Sequence, residues 1–261
     1  MTWLEAVVLA VVQGLTEFLP VSSSGHLALA SQVMAVPESS IAFEVVLHLG
    51  TLMAVIAFYR NDLLEMITGI FRGRRSSIVL ALLLCAATVP VAAAGLLAGD
   101  FIEGLFHNTL FVSGALAFTG FILFFLSGSS PDASREVSPK QGMLVGLFQA
   151  LALFPGVSRS GTTICTGLRV GLSREEAARF SFLLSIPAII GAAVKELPDA
   201  SWSVSGNVLA AGFLVSAAVG FLALSVLVRF VKRGKLKGFA LYCWSVAAAG
   251  FLFSITGAQG L

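Results

Sequence analysis

Charge is what this chain has least of. Only 11% of its 261 residues are charged while 57% are hydrophobic, whereas soluble domains carry roughly 25% charged residues. With a mean hydropathy of +0.95, that shortfall excludes a water-soluble protein and leaves a polytopic membrane protein. Cysteine is also scarce. The three present, Cys85, Cys165 and Cys243, form no CxxC pair and no ligand spacing, so a disulfide framework and a thiolate metal site are excluded and all three read as packing residues. The stretch from Met1 to Pro20 has Glu5 and Glu17 but no lysine or arginine. A signal peptide needs a basic start, so the segment is expected to be retained. The net charge of +2, spread over connecting segments and not along a stripe, excludes a nucleic-acid partner.

What is abundant is apolar length. Since one spanning helix needs about 20 apolar residues, six spans are expected, at about 43–60, 76–97, 109–127, 175–196, 206–229 and 238–256. Two further apolar stretches do not fit. Residues 3–35 are broken by Pro20-Val21-Ser22-Ser23-Ser24-Gly25, and residues 141–172 by Pro155-Gly156-Val157-Ser158-Arg159-Ser160-Gly161. Irregular backbone at membrane depth survives only where protein buries it or it lines a wet cavity, so both are expected to be re-entrant helix-loop-helix hairpins. The expected fold is all-α, six transmembrane helices plus two such hairpins.

Basic residues set the orientation. Arg60, Arg72, Arg74 and Arg75, then Arg135 and Lys140, then Arg229, Lys232, Arg233, Lys235 and Lys237 mark cytoplasmic connections by the positive-inside rule. The segments 98–108 and 197–205 carry Asp100, Glu103 and Asp199 but no lysine or arginine, and face outward. The alternation puts residues 36–42 and the first hairpin on the outer side, and the second hairpin on the cytoplasmic side.

An internal repeat agrees with this. At an offset of 136, residues 13–26 lie over 149–162 with seven of the fourteen pairs identical. Each half, about 1–128 and about 137–261, holds one hairpin and three spans. Three is odd, so the second half is inverted in the bilayer. Inverted-topology repeats bring broken helices together near the midplane, with half-helix N-termini facing a shared site. The whole chain is expected to be a single integral membrane domain.

The chemistry-bearing residues fall at the two breaks. Gln13 and Glu17 are four apart, hence on one helix face. An intramembrane carboxylate faces a polar cavity and is functional by default, snorkelling to the interface being the bland alternative. The Ser22-Ser23-Ser24-Gly25-His26 run reads as a helix N-cap. A cap is equally an anion site, because free N–H groups and the helix dipole point there, and Gly25 allows close approach. With Ser23 as the cap, His26 falls third in the helix, within reach of the hydroxyl, as a nucleophile–base pair requires. In the second break Arg159 replaces Ser23, flanked by Ser158, Ser160, Gly161, Thr162 and Thr163. Its planar fork suits phosphate oxygens; a structural pair with Glu17 is the other reading, and the two are compatible. Glu44 and His48, also four apart, are weaker candidates to line the site. His107 reads as solvated, and Arg169, Arg174, Glu175, Glu176 and Arg179 as structural.

The two motifs, Gln13-Gly14-Leu15-Thr16-Glu17-Phe18-Leu19-Pro20-Val21-Ser22-Ser23-Ser24-Gly25-His26 and Pro155-Gly156-Val157-Ser158-Arg159-Ser160-Gly161-Thr162-Thr163-Ile164, closely resemble those of the bacterial undecaprenyl-diphosphate phosphatases, the bacitracin-resistance family. The likeness covers nearly the whole chain, including Phe43-Glu44-Val45-Val46 and Phe180-Ser181-Phe182-Leu183-Leu184. It implies hydrolysis of undecaprenyl diphosphate at the outer face of the bacterial cytoplasmic (inner) membrane, recycling the lipid carrier of cell-wall precursors. It also implies a homodimer and a divalent cation, Mg²⁺ or Ca²⁺. Carried over by motif, the Gln/Glu-x-x-x-Glu pair is Gln13 and Glu17, the essential hydroxyl and histidine are Ser23 and His26, and the phosphate-binding arginine is Arg159. Ser22, Ser24, Gly25, Ser158, Ser160, Gly161, Thr162 and Thr163 are expected to contact the phosphates, and Glu17 to hold His26 or the metal.

Other readings differ in class. The second common type of membrane lipid phosphatase needs Ser-Arg-x5-His, but after Ser158-Arg159 that place is Cys165. A polyprenyl-phosphate transporter or flippase is the non-enzyme alternative, because inverted repeats with broken helices are also a transporter design.

Overall fold

The computed structural model describes residues 1–34, 41–128, 133–199 and 204–256. Most of the outer connection expected at 36–42, and part of that at 197–205, lie outside the described residues. The chain opens with α1 (Trp3–Phe18) and α2 (Ser23–Val33), and continues through α3 (Ile41–Phe58), α4 (Arg60–Phe71), α5 (Arg75–Leu97), α6 (Gly99–Phe106) and α7 (Thr109–Leu126). The second half runs α8 (Pro139–Gln149), a 3₁₀ turn at Ala150–Leu153, α9 (Arg159–Arg169), α10 (Arg174–Glu196), a second 3₁₀ turn at Leu197–Asp199, α11 (Gly206–Lys232) and α12 (Lys237–Ile255).

Six of these, α3, α5, α7, α10, α11 and α12, are long and apolar enough to cross a membrane. They coincide with the expected spans to within three residues at each end. The four helices at the breaks are shorter. α1 has 16 residues and α2, α8 and α9 have 11 each, so at about 1.5 Å per residue none reaches the roughly 30 Å of a bilayer core.

Local chemistry fixes where these short helices start and stop. Thr2 and Glu5 close a capping box on α1, and Ser138 and Gln141 close another on α8, with Pro139 in its first turn. Glu5 is thereby a cap and not a site residue. α1 ends at Phe18 because the residue before a proline is driven out of the helical region; Leu19 sits at φ −57°, ψ 139°. Phe154, before Pro155, does the same at φ −71°, ψ 126°.

Two helices depart from the sequence reading. The connections at 61–74 and 98–108 contain α4 and α6, because both segments are amphipathic: each mixes too much charge with its apolar residues to span, yet offers one face to pack. Asp62 of α4 binds Arg179 Nε at 2.5 Å, and Arg179 also holds Glu176 at 3.1 Å, tying α4 to α10. Cys85 also departs from its expected packing role. It is exposed, whereas Cys165 and Cys243 are buried.

The interior is built from aromatic and small residues. Phe18, Phe43, Phe180 and Phe182 are fully buried, with the Phe18 ring edge-on to Phe182 at 5.8 Å. α1 packs on α3 and α11, α8 on α5 and α10, α3 on α11, α5 on α10, and α7 on α12. Large apolar side chains such as Phe71 and Leu97 are almost fully exposed, at 87% and 88%. In water that surface would be unstable; against lipid it needs no cover. The chain is an all-helical, apolar-faced bundle of the integral membrane kind.

Candidate active site

The two breaks meet. A Cβ added at Gly25 would lie 3.0 Å from Gly156 Cα, tighter than an ordinary contact, so the missing side chain eases the close approach of the second loop to the first turn of α2. Gly156 itself has φ +99°, in the left-handed region where glycine is at home. Ser160 Oγ reaches the Leu19 carbonyl at 3.4 Å. The loop before α9 is pinned from α7: Thr119 Oγ1 donates to the Gly156 carbonyl at 2.8 Å and accepts from Ser158 N at 3.0 Å. Nothing in the sequence pattern marked Thr119 as a site-building residue. Thr119→Val is expected to destabilise the protein by about 1–3 kcal/mol, measured as a lowered unfolding midpoint in detergent, because it leaves both backbone groups buried and unpaired.

Both loops feed a helix N-terminus. Ser22 caps α2, its Oγ accepting from Gly25 N at 3.3 Å, and Ser158 caps α9 in the same way from Gly161 N at 3.1 Å. The two caps match in detail: Ser22 Oγ is 3.2 Å from Ser24 Oγ, and Ser158 Oγ is 3.2 Å from Ser160 Oγ. The cap is therefore Ser22 and not Ser23, a shift of one residue from the sequence reading. Ser22 adopts φ +69°, which costs a non-glycine residue about 1–3 kcal/mol, and this turn redirects Ser23.

Glu17 is the hub. It is 8% exposed, and Arg159 Nη2 donates to its Oε1 at 2.6 Å. Its Oε2 accepts from Ser23 Oγ at 2.6 Å and from Gln13 Nε2 at 3.2 Å. An acid and an amide on α1, a hydroxyl on α2 and a guanidinium on α9 thus converge, and the two compatible roles read for Arg159 begin with this ion pair. Two groups at the hub are buried with no partner: Arg159 Nη1 and Gln13 Oε1. A guanidinium N–H held out of water without an acceptor is an arrangement that an anion completes.

His26 does not join Ser23. Its Nδ1 is 2.8 Å from the Ser22 carbonyl oxygen and its Nε2 is 2.9 Å from the Tyr242 hydroxyl on α12. The expected Ser23–His26 hydrogen bond is absent because Ser22, not Ser23, caps the helix, which turns the imidazole away and leaves the hydroxyl to Glu17. His48, a weaker candidate by sequence, is the histidine that approaches the hub: its Nε2 is 3.9 Å from Glu17 Oε2. Among the remaining expected contacts, Thr163 Oγ1 is engaged with the Arg159 carbonyl at 2.7 Å and Ser181 Oγ at 2.6 Å, whereas Thr162 Oγ1 is buried and unpaired.

Among the described residues no three His, Cys, Asp or Glu side chains cluster as a metal cage. The hard oxygens present are Glu17 Oε1, which keeps a lone pair beyond Arg159, and the unpaired Gln13 Oε1. Two such donors fit a hard divalent ion that takes most of its ligands from a diphosphate, as Mg²⁺ commonly does.

The family profile described as "Bacitracin resistance protein BacA" matches residues 6–249. The undecaprenyl-diphosphatase of Rubrobacter xylanophilus is 46% identical over 262 residues, covering 94% of this chain and 96% of its own. That of Methanobrevibacter smithii is 42% identical over 275 residues (97% and 98%), and that of Methanosphaera stadtmanae 39% over 271 residues (97% and 98%).

Proposed function

The chain belongs to the bacitracin resistance protein BacA family, and from that premise we infer that it is an enzyme hydrolysing undecaprenyl diphosphate to undecaprenyl phosphate and inorganic phosphate. The observation that carries this reading for the chain's own residues is the shared carboxylate: Glu17 holds Ser23 on one oxygen and Arg159 on the other, while Arg159 Nη1 has no partner.

The reaction follows from that geometry. The terminal phosphate enters between the N-termini of α2 and α9, where both helix dipoles favour an anion, and takes up Arg159 Nη1. Ser23 Oγ attacks the terminal phosphorus as its proton passes to Glu17 Oε2. The bond from that phosphorus to the bridging oxygen breaks, and undecaprenyl phosphate leaves. Water then cleaves the phosphoserine as the proton held on Glu17 returns to Ser23 Oγ, releasing inorganic phosphate and restoring the starting state. Little covalent chemistry falls to the protein in phosphoryl transfer; positioning and charge stabilisation dominate. Glu17 and Gln13 would hold Mg²⁺ or Ca²⁺, which when bound supplies further positive charge against the diphosphate oxygens.

The same proposal includes the architecture expected from sequence: an inverted repeat of about 1–128 and about 137–261 forming one membrane domain, with α1–α2 and α8–α9 as re-entrant hairpins. Two facts support it. The four short helices are below spanning length, and the packing comes in matched pairs, α1 on α11 with α8 on α5, α3 on α11 with α10 on α5, and α1 on α3 with α8 on α10. The proposed setting is the bacterial inner membrane with the site open to the outer face, in a homodimer.

Purified protein in detergent is expected to release inorganic phosphate from undecaprenyl diphosphate; flipping of the lipid without hydrolysis would instead favour a transporter. Glu17→Gln, which keeps the shape but not the base, is expected to lower kcat about a hundredfold in the same assay.

A further inference from the structure

His26 Nδ1 faces a carbonyl oxygen, that of Ser22, at 2.8 Å. A carbonyl only accepts, so Nδ1 carries the hydrogen and the neutral imidazole presents a lone pair at Nε2. That lone pair meets the Tyr242 hydroxyl at 2.9 Å, which therefore donates. The two rings also lie nearly parallel, 7° apart with centroids at 5.5 Å. One tyrosine thus holds the Nε2 edge of one imidazole with its ring nearly parallel to it, and it comes from α12, 216 residues further along the chain. Burial does not force this contact: Tyr242 is 46% exposed. On the other side of the ring, His26 donates to the carbonyl of the one described non-glycine residue with positive φ, whose turn delivers Ser23 to Glu17.

We propose that Tyr242 is a positioning residue for Ser23, acting through His26. Tyr242 fixes the plane and the tautomer of the imidazole; the imidazole in turn holds the Ser22 carbonyl and keeps the strained turn closed; the turn sets the Ser23 hydroxyl on Glu17. His26 then serves the nucleophile by geometry and carries no proton to or from it. The proposal rests on the phosphatase reading above and assigns a role to a residue that neither motif contains.

The test compares Tyr242→Phe, which keeps the ring and loses the hydroxyl, with Tyr242→Leu, which loses both. Loss of one neutral hydrogen bond is expected to lower kcat about fivefold with KM within twofold, and Tyr242→Leu to lower it further. In nitrogen NMR of protein labelled at histidine, assigned by the signals lost in His26→Asn, the His26 Nε2 resonance is expected to move downfield in Tyr242→Phe while Nδ1 stays protonated. A kcat within twofold of wild type in both variants, or an unmoved Nε2 resonance, overturns the proposal. Should the wild-type protein release no phosphate at all, the phosphatase reading fails first, and the nitrogen resonance still decides the Tyr242–His26 bond.

Discussion

Arg159→Lys is expected to reduce phosphate release from undecaprenyl diphosphate by about a hundredfold, the scale of losing one preorganised donor to a developing oxyanion, although the charge is unchanged. The reason is the division of labour in one side chain. Nη2 is committed to Glu17 at 2.6 Å, while Nη1 is buried and unpaired. A guanidinium can keep the first and offer the second; an ammonium is a single point that must choose. Lysine would keep the ion pair with Glu17, so the fold should persist, and the loss should fall mainly on kcat if Nη1 meets the charge that spreads over the phosphoryl oxygens. Steady-state kinetics on the purified variant checks this, and activity within threefold of wild type would remove Nη1 from the chemistry.

Ser23→Ala is expected to be costlier still, by at least about a thousandfold, leaving the residual turnover that charge stabilisation alone supports when a nucleophile is deleted. The cause lies in the 2.6 Å hydrogen bond from Ser23 Oγ to Glu17 Oε2: the acceptor that draws the proton is already in place, on the oxygen not taken by Arg159. The substitution removes the attacking atom without disturbing the caps, because Ser22 and Ser158 make those. Acid quench of a reaction with labelled terminal phosphate should trap label on Ser23 in wild type and none in the variant. Wild-type turnover by Ser23→Ala, or no label at Ser23 in a quenched wild-type reaction, would put a water molecule in the attacking role.

Much of this architecture could be read from the chain itself, for reasons that differ between its parts. The six spans are visible because a bilayer imposes a continuous apolar length, which a window detects directly. The two breaks are visible because proline, glycine and serine clusters interrupt such a length. Glu17 and Arg159 are visible because each is a charge set in an otherwise apolar stretch, although the sequence also left snorkelling open for the one and a structural pair for the other. α4 and α6 were hidden inside connections, since an amphipathic helix of 8 or 12 residues carries the same charges as a loop. Ser-x-x-His spacing was a fair reason to pair Ser23 with His26, but it could not show that the cap falls one residue earlier, at a Ser22 held at φ +69°. That single displacement hands Ser23 to Glu17 and His26 to Tyr242. Thr119 and Tyr242 reach the site from helices with no motif of their own, and no periodicity within one segment reports a partner on another.

Everything in the site depends on the two loops lying against each other, and a disulfide between them tests that most directly. An ideal Cβ at Gly161 lies 3.4 Å from Pro20 Cβ, close to the roughly 3.5–4.5 Å that a disulfide spans. In a background with Cys85, Cys165 and Cys243 replaced by alanine, Pro20→Cys with Gly161→Cys should oxidise readily in native membranes. After cleavage at a protease site introduced between residues 128 and 133, the two halves should stay joined until reductant is added. Halves that separate without reductant, under conditions where surface cysteines oxidise fully, would mean that the loops do not meet and that Glu17, Ser23 and Arg159 do not form one site.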